Sequence, residues 1–203
     1  MVSVKNAAKR CREFLFNMYS VEEKKYLLNL ARQSILYYLE QGELLTVDKN
    51  EISEIFKRRL ACFVTLTLDG ELRGCIGHTE PVQELYLDVI ENSVAAAFED
   101  PRFLPVDKNE AAEIKIEISV LSLPIRLVFD SPGDLLDKLQ PGRDGVIIRF
   151  GRHGATYLPQ VWEEIGEPED FLNSLCAKAD LPSACWRESD FEAYTYTVEN
   201  FSE

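Results

Sequence analysis

Residues 62–77 have the sequence CFVTLTLDGELRGCIG, and this stretch decides the fold expected for the chain. Side chains alternate in character up to Leu68, which is typical of a strand with one buried face. Asp69-Gly70 then predicts a tight hairpin turn, because these residue types tolerate the backbone conformation that such a turn requires. A second strand is therefore expected to return through residues 72–77.

The returning strand places a thiol between two glycines, in the order Arg73-Gly74-Cys75-Ile76-Gly77. Glycines lack a Cβ and admit a close neighbour, and a guanidinium near a thiol favours the reactive thiolate. Arg73 and Cys75 share one face of the strand if the strand is regular. Three roles are open for this segment: binding a small anion through Arg73 and the glycines, use of Cys75 as a nucleophile, or tight packing alone.

His78 is a candidate proton carrier for Cys75 if the strand breaks at Gly77, because catalytic cysteines usually have a base within reach. The alternative is a buried thiol in a tight turn. No metal site is predicted, since Cys75 and His78 supply two ligands where a structural zinc takes about four.

Thr79 and Pro81 predict the start of a helix directly after this segment. The amides of its first turn would point toward residues 77–78, and helix N-termini attract anions. A phosphate or carboxylate beside Arg73 fits this arrangement, and plain capping by Thr79 is the alternative.

The rest of the chain predicts a mixed α+β fold. The further elements are a helix capped by Ser20 and Glu23 that stops at Gly42, a short polar connection over 50–59, a strand over 114–120, a short helix over 131–139, a hairpin around 151–154, a helix over 169–179 and a strand over 194–198. Strand, helix and strand between residues 73 and 121 form a crossover unit. We expect one domain over residues 1–203: a mixed sheet with packed helices over 1–125 and 189–203, and a smaller sheet-containing lobe over 126–188.

Composition and charge exclude several classes of protein. The formal net charge of −13 opposes nucleic acid as a general partner, and no apolar run approaches the length of a membrane span. The first 18 residues fit an amphipathic leading helix or, alternatively, a mitochondrial presequence. The five cysteines are an odd set without paired spacing, so we expect a cytoplasmic protein without structural disulfides.

Several short motifs resemble, in order, those of the AMMECR domain family, known in prokaryotes as AmmeMemoRadiSam system protein A. The matching segments are residues 72–77, 100–103, 118–122, 145–146, 155–162 and 175–179. The resemblance implies an α+β fold of two subdomains with a groove lined by the Arg73-Gly74-Cys75 segment. The family has no settled activity, and its prokaryotic members are often associated with a Memo-like protein and a radical S-adenosylmethionine enzyme.

Two positions depart from the family pattern. Family members often carry Thr, Ser or an apolar residue where this chain has His78, so the resemblance implies no family-wide role for that imidazole. Asp180 stands where Gly is usual, and Asp tolerates the left-handed conformation of a helix end better than most residues.

Four further side chains are candidates for substrate binding, each with a structural alternative. Arg102 either faces the groove or fixes the turn after Asp100-Pro101, and Lys178 either pairs with an anion or favours its helix terminus. Tyr157 and Gln160 either line a wall for a planar ligand or pack within the protein.

Two functions are consistent with these observations. The first is an enzyme or accessory of a radical S-adenosylmethionine system, acting on a small anionic or thiol-reactive substrate at Cys75, with no cofactor assigned. The second is a non-catalytic module that binds a peptide or a partner protein.

Overall fold

The computed structural model describes residues 19–203, which form two compact units. The first unit comprises residues 19–121 and 199–203, and the second comprises residues 122–198. The predicted leading helix or presequence and Cys11 lie outside the described residues.

Both units contain helices and strands. In chain order they are α1 (Val21–Gln41), β1 (Cys62–Leu68), β2 (Glu71–Gly77), α2 (Leu85–Phe98), α3 (Glu110–Glu113), β3 (Lys115–Leu121), β4 (Ile125–Leu127), α4 (Pro132–Lys138), β5 (Gly145–Phe150), β6 (His153–Tyr157), α5 (Pro168–Lys178), β7 (Glu192–Tyr196) and β8 (Val198–Ser202). Short 3₁₀ turns lie between several of them, including two in the predicted polar connection. The α+β class is confirmed, and β4 and β8 are strands that the sequence pattern did not predict.

Helix α1 begins and ends as its sequence predicts. Ser20 accepts the amide of Glu23 and the Glu23 carboxylate accepts the amide of Ser20, which is the expected capping box. Gly42 ends the helix with a φ of 73°, and its amide donates to the carbonyl of Tyr38.

The hairpin of residues 62–77 builds the first sheet, whose strand order is β2-β1-β3-β8. Asp69 and Gly70 have φ values of 53° and 85°, as the predicted turn requires. Strand β1 is antiparallel to both β2 and β3, so these two strands run in the same direction on either side of it. Helix α2 connects them, which confirms the predicted crossover.

One face of this sheet is closed by helix α2. Val64 and Leu66 of β1 are fully buried on that face, and Gly74 pairs with Leu66. A Cβ on Gly74 would lie 2.1 Å from the carbonyl oxygen of Ala96 in α2, closer than any side chain allows. Gly74 therefore faces the helix, and its neighbour Cys75 points to the opposite face.

The second unit contains the other sheet, with the order β4-β7-β5-β6. Its strands pair antiparallel, and α4 and α5 occupy the predicted helical segments. Trp162 stacks on Phe171 with the ring centroids 3.6 Å apart, in the core of this unit.

The expectation that the chain lacks structural disulfides is wrong, because Cys176 and Cys185 are bonded. Cys176 lies in the last turns of α5, and Asp180 turns the chain back with a φ of 57°. This turn brings the two Cα atoms to 6.4 Å, although the sequence spacing of nine residues carries no such signal. The positive φ at Asp180 confirms the expected left-handed helix end.

Because β2 lies so close to α2, a methyl group added at position 74 should destabilise the fold strongly. Gly74→Ala should lower the free energy of unfolding by about 3 kcal/mol, because the new Cβ meets helix backbone rather than a flexible side chain. Urea unfolding followed by far-ultraviolet circular dichroism measures the change.

Gly166→Ala is the matched control, since a Cβ there has no neighbour within 4 Å among the described residues and the backbone is compatible with alanine. We expect its effect to stay within about 0.5 kcal/mol. Equal effects of the two substitutions would contradict the close approach of β2 and α2.

Candidate functional site

Cys75 lies on β2, the edge strand of the first sheet, with its thiol on the face opposite α2. The residue is half-buried, and its Sγ accepts a hydrogen bond from Thr65 Oγ1 at 3.3 Å. Thr65 is its cross-strand partner on β1. The sulfur therefore sits in a polar, partly accessible setting, unlike the fully buried thiol of Cys62.

The backbone of Cys75 is held by side chains that replace a neighbouring strand. Its amide donates to Asp100 Oδ2 at 2.9 Å, and its carbonyl accepts from Arg102 Nη2 at 3.3 Å. An edge strand otherwise presents such groups to solvent or to another chain. Asp100 and Arg102 thus fix the position of Cys75 while they close this part of the sheet edge.

Asp100 and Arg102 form a two-bond ion pair. Arg102 Nε donates to Oδ1 at 2.9 Å and Nη2 donates to Oδ2 at 2.6 Å. The hydrogen bond from Arg102 holds the pKa of Asp100 well below its usual range, and the amides of Cys75 and Arg102 act in the same direction.

The guanidinium of Arg102 is the cation that lies beside Cys75. Its hydrogen bond to Asp100 raises the pKa of Arg102, and the negative charge of a Cys75 thiolate adds to this effect. The side chain is 53% exposed, whereas that of Asp100 is 2% exposed. Arg102 therefore has the structural role that the sequence offered as one alternative, and its side chain is also partly exposed.

Arg73, the predicted anion clamp, is engaged by other groups. Its Nε and Nη2 donate to the carboxylate of Glu110 at 3.0 and 2.9 Å, and Nη2 also donates to the carbonyl of Leu104. The hydrogen bond from Arg73 lowers the pKa of Glu110. A register shift between Leu66 and Thr67 leaves Arg73 without a cross-strand partner, so the regular strand that would align it with Cys75 is interrupted.

His78 lies on the opposite face of the sheet from Cys75. Strand β2 ends at Gly77, but the chain stays paired to β1 for one more residue, because the His78 amide donates to the carbonyl of Cys62. The imidazole instead contacts helix α2, where Nδ1 lies 2.7 Å from Asp88 Oδ1. Among the described residues no hydrogen bond joins His78 to Cys75, so the structure does not bring this predicted pair together.

The expected anion site at the start of a helix near Thr79 is not formed. Helix α2 begins only at Leu85, after an irregular stretch over 79–84. Its first amides are already bonded, since Leu85 donates to the carbonyl of Arg58 and Asp88 donates to that of Glu84. The bridge between Arg59 and Glu84 holds this stretch against the chain before β1, which delays the helix.

The two glycines around Cys75 serve packing. Gly74 allows the approach of Ala96, and a Cβ on Gly77 would lie 2.5 Å from the backbone of Phe63 and from the carbonyl of Cys62. Neither position opens a space for a ligand, which agrees with the packing alternative for these glycines.

The remaining predicted site residues belong to the second unit. Lys178 Nζ donates to the carbonyl of Thr156 and lies 4.7 Å from the ring centroid of Tyr157. The Tyr157 hydroxyl is 3.0 Å from Ser174 Oγ, and Gln160 is exposed in a 3₁₀ turn. Lys178 and Tyr157 thus make contacts within that unit.

Two further features concern residues 19–203 as a whole. No group of three or more His, Cys, Asp or Glu side chains there is arranged to hold a metal ion. None of the helices in this range is both long and apolar enough to cross a membrane.

Sequence reasoning missed Asp88 as a functional candidate. Asp88 and Asn92 stand four residues apart within the apolar stripe of α2, and both are buried. Polar residues at i and i+4 on a buried helix face require partners, and this spacing is the signal that identifies them.

The carboxylate of Asp100 yields a prediction about stability and pH. Asp100→Asn should lower the free energy of unfolding at pH 7 by about 1–3 kcal/mol, because an amide cannot accept both the Cys75 amide and the two Arg102 donors. Since the folded pKa is lowered, the stabilisation is complete above the unfolded pKa of about 3.9. The difference between the two proteins should therefore shrink as the pH falls below about 4.

Urea titrations between pH 7 and pH 3 measure this difference, with Asp137→Asn on the exposed face of α4 as the control. A pH-independent difference for Asp100→Asn would contradict the assigned role of the carboxylate.

Comparison with known proteins confirms the family resemblance. The AMMECR1 family profile matches residues 28–201. A protein of Methanopyrus kandleri is 39% identical over 91% of this chain and 90% of its own length, and one of Methanothermobacter thermautotrophicus is 37% identical over 91% and 96%. The crystal structure of an uncharacterized protein from Pyrococcus horikoshii, 35% identical, superposes with a TM-score of 0.76 over 92% of this chain and 94% of that one. The chain belongs to the AMMECR1 family.

Proposed function

We propose that the protein is an enzyme, or an accessory to one, that acts on a small anionic, thiol-reactive substrate at Cys75. The observation that supports this proposal is the half-buried thiol of Cys75, on a residue whose backbone carbonyl accepts a hydrogen bond from the guanidinium of Arg102. A cation close to a cysteine favours the thiolate, which is the nucleophilic form.

Arg102 is the group that would bind the anionic part of the substrate. Its Nε and Nη2 are used by Asp100 and by the carbonyl of Cys75, whereas Nη1 makes no hydrogen bond to the described residues. This amino group is available to a carboxylate or phosphate, and Asp100 keeps the guanidinium in place. Arg102 takes the clamp role expected of Arg73, whose Nε and Nη2 are bonded to Glu110 and Leu104 and whose Nη1 is buried without a hydrogen-bond partner among the described residues.

The wider setting of this activity rests on the family resemblance. We propose a Memo-like protein and a radical S-adenosylmethionine enzyme as partners, and the cytoplasm as the location. His78 is not part of the Cys75 site in this proposal, because the two side chains lie on opposite faces of the sheet.

A non-catalytic binding module is the second candidate. Leu72 and Leu104 are 43% and 83% exposed. Leu72 precedes Arg73 in the chain, and the carbonyl of Leu104 accepts a hydrogen bond from Arg73. Exposed apolar side chains beside an edge strand suit a peptide or protein partner.

Two alkylating reagents that differ in charge separate these candidates. Iodoacetate is anionic and iodoacetamide is neutral, so the ratio of their rates at Cys75 reports attraction of an anion independently of the thiolate fraction. We expect Arg102→Gln to lower this ratio about fivefold, which corresponds to about 1 kcal/mol of charge attraction near the surface. Quantitative mass spectrometry of the Cys75 peptide measures both rates.

Arg102→Lys keeps the charge and should retain most of the ratio. Arg126→Gln is the matched control, because Arg126 is also an exposed arginine paired to a carboxylate, that of Glu192 at 2.7 Å. A ratio that does not respond to Arg102→Gln would refute anion recognition at Cys75 and favour the binding module.

A further inference from the structure

His78 and Asp88 form a second polar site, on the α2 side of the first sheet. We infer that this pair is a general-base site in which Asp88 is the positioning residue and His78 Nε2 is the base. It goes beyond the Cys75 proposal, because it uses different side chains on the other face of the sheet. The group that it would deprotonate is a hydroxyl or a water molecule.

The carboxylate of Asp88 is buried and fixed by several donors. Its side chain is 0% exposed, and Oδ2 accepts the backbone amide of Cys62 at 2.9 Å. Oδ1 accepts from Gln83 Nε2 at 3.4 Å and lies 2.7 Å from His78 Nδ1. A carboxylate held in this way orients whatever imidazole it contacts.

The hydrogen bond to Asp88 determines which nitrogen of His78 carries the proton. A carboxylate oxygen accepts hydrogen bonds, so the ring nitrogen in contact with it, Nδ1, carries the proton and donates to Asp88 Oδ1. Asn92 Nδ2 is also 3.4 Å from Nδ1, but its two hydrogens have acceptors on Cys62, the carbonyl at 3.2 Å and Sγ at 3.7 Å. Nε2 is then the unprotonated nitrogen.

Nε2 is accessible to a ligand. The His78 side chain is 39% exposed, and Nε2 makes no hydrogen bond to the described residues. A buried carboxylate behind a half-exposed imidazole is the arrangement by which a histidine accepts protons in catalysis.

The charges that face His78 favour this role. The carboxylate of Asp88 is in direct contact with the imidazole. The carboxylate of Glu91 is linked to Asp88 through Gln83, whose Nε2 donates to Glu91 Oε2 at 2.6 Å. Burial raises the pKa of the Cys62 thiol, and the charge of Asp88 raises it further, so Cys62 stays neutral. When the oxygen of a bound hydroxyl or water transfers its proton to Nε2 and keeps the electron pair, the imidazolium formed is paired with Asp88.

Nitrogen-15 NMR tests the assignment directly. The chain has two histidines, and His153 is the internal control because its Nδ1 donates to the carbonyl of Ala179 at 3.0 Å. In the wild-type protein we expect a protonated Nδ1 and an unprotonated Nε2 at His78. An unprotonated Nδ1 in the wild-type spectrum would overturn the inference.

Asp88→Asn should reverse the tautomer of His78. The amide of Cys62 requires an oxygen acceptor, so the new Nδ2 group faces His78 and donates to its Nδ1. The proton then moves to Nε2, and the spectrum of His153 stays unchanged. An unchanged His78 tautomer in a folded Asp88→Asn protein would refute the positioning role.

Carbethoxylation by diethyl pyrocarbonate supplies a chemical readout, because this reagent attacks unprotonated imidazole nitrogen. At about pH 8, above the usual imidazole range, we expect Asp88→Asn to slow the reaction of His78 about tenfold and to leave that of His153 unchanged. If the Asp88→Asn protein does not fold, the reaction rates of the two histidines in the wild-type protein test the inference instead. His78 should react at least as fast as the more exposed His153, and a slower reaction would overturn the inference.

The outcome is independent of the Cys75 proposal. The iodoacetate-to-iodoacetamide ratio depends on Arg102, whereas the tautomer and carbethoxylation rate depend on Asp88. Failure of either set of measurements therefore leaves the other proposal standing.

Discussion

The close approach of β2 to helix α2 is the constraint on which the chemistry of the first unit depends. Gly74 lies against the backbone of Ala96 with no room for a side chain, and this contact sets the register of the strand under the helix. Strand alternation then sends Cys75 to one face and His78 to the other. A one-residue change in register would exchange the two faces.

The edge position of β2 has a second consequence. An edge strand needs partners for its outward amides and carbonyls, and here Asp100 and Arg102 supply them to Cys75. The loop after α2 is thereby tied to the strand, and the guanidinium of Arg102 is bonded to the carbonyl of Cys75. The same two bonds that complete the sheet edge therefore bring a positive charge to the residue that carries the thiol.

Helix α2 also buries polar side chains, and each of them has hydrogen-bond partners. Asp88 and Asn92 occupy positions that would otherwise be apolar, and they bind the backbone of Cys62 as well as the imidazole of His78. An unpaired carboxylate at this depth would destabilise the fold, so its full set of donors is a condition of its being there. The position of His78 is therefore linked to the packing of α2 on the sheet.

The sequence by itself determined the local elements. The capping box at Ser20, the stop at Gly42 and the turn at Asp69-Gly70 depend on short-range hydrogen bonds and backbone preferences, which neighbouring residues fix. The family assignment also followed from ordered local motifs. The start of α2 was misplaced because Leu85 donates to Arg58, a residue distant in the chain.

Only the tertiary structure decided which groups of the candidate site meet. Arg73 bonds Glu110, Arg102 reaches the backbone of Cys75 from another loop, and His78 pairs with Asp88 across the helix–sheet contact. The disulfide between Cys176 and Cys185 likewise needed a turn that brings the ends together. Each of these contacts depends on the packing of separate elements, and the free energy of that packing is not encoded in the spacing of any one motif.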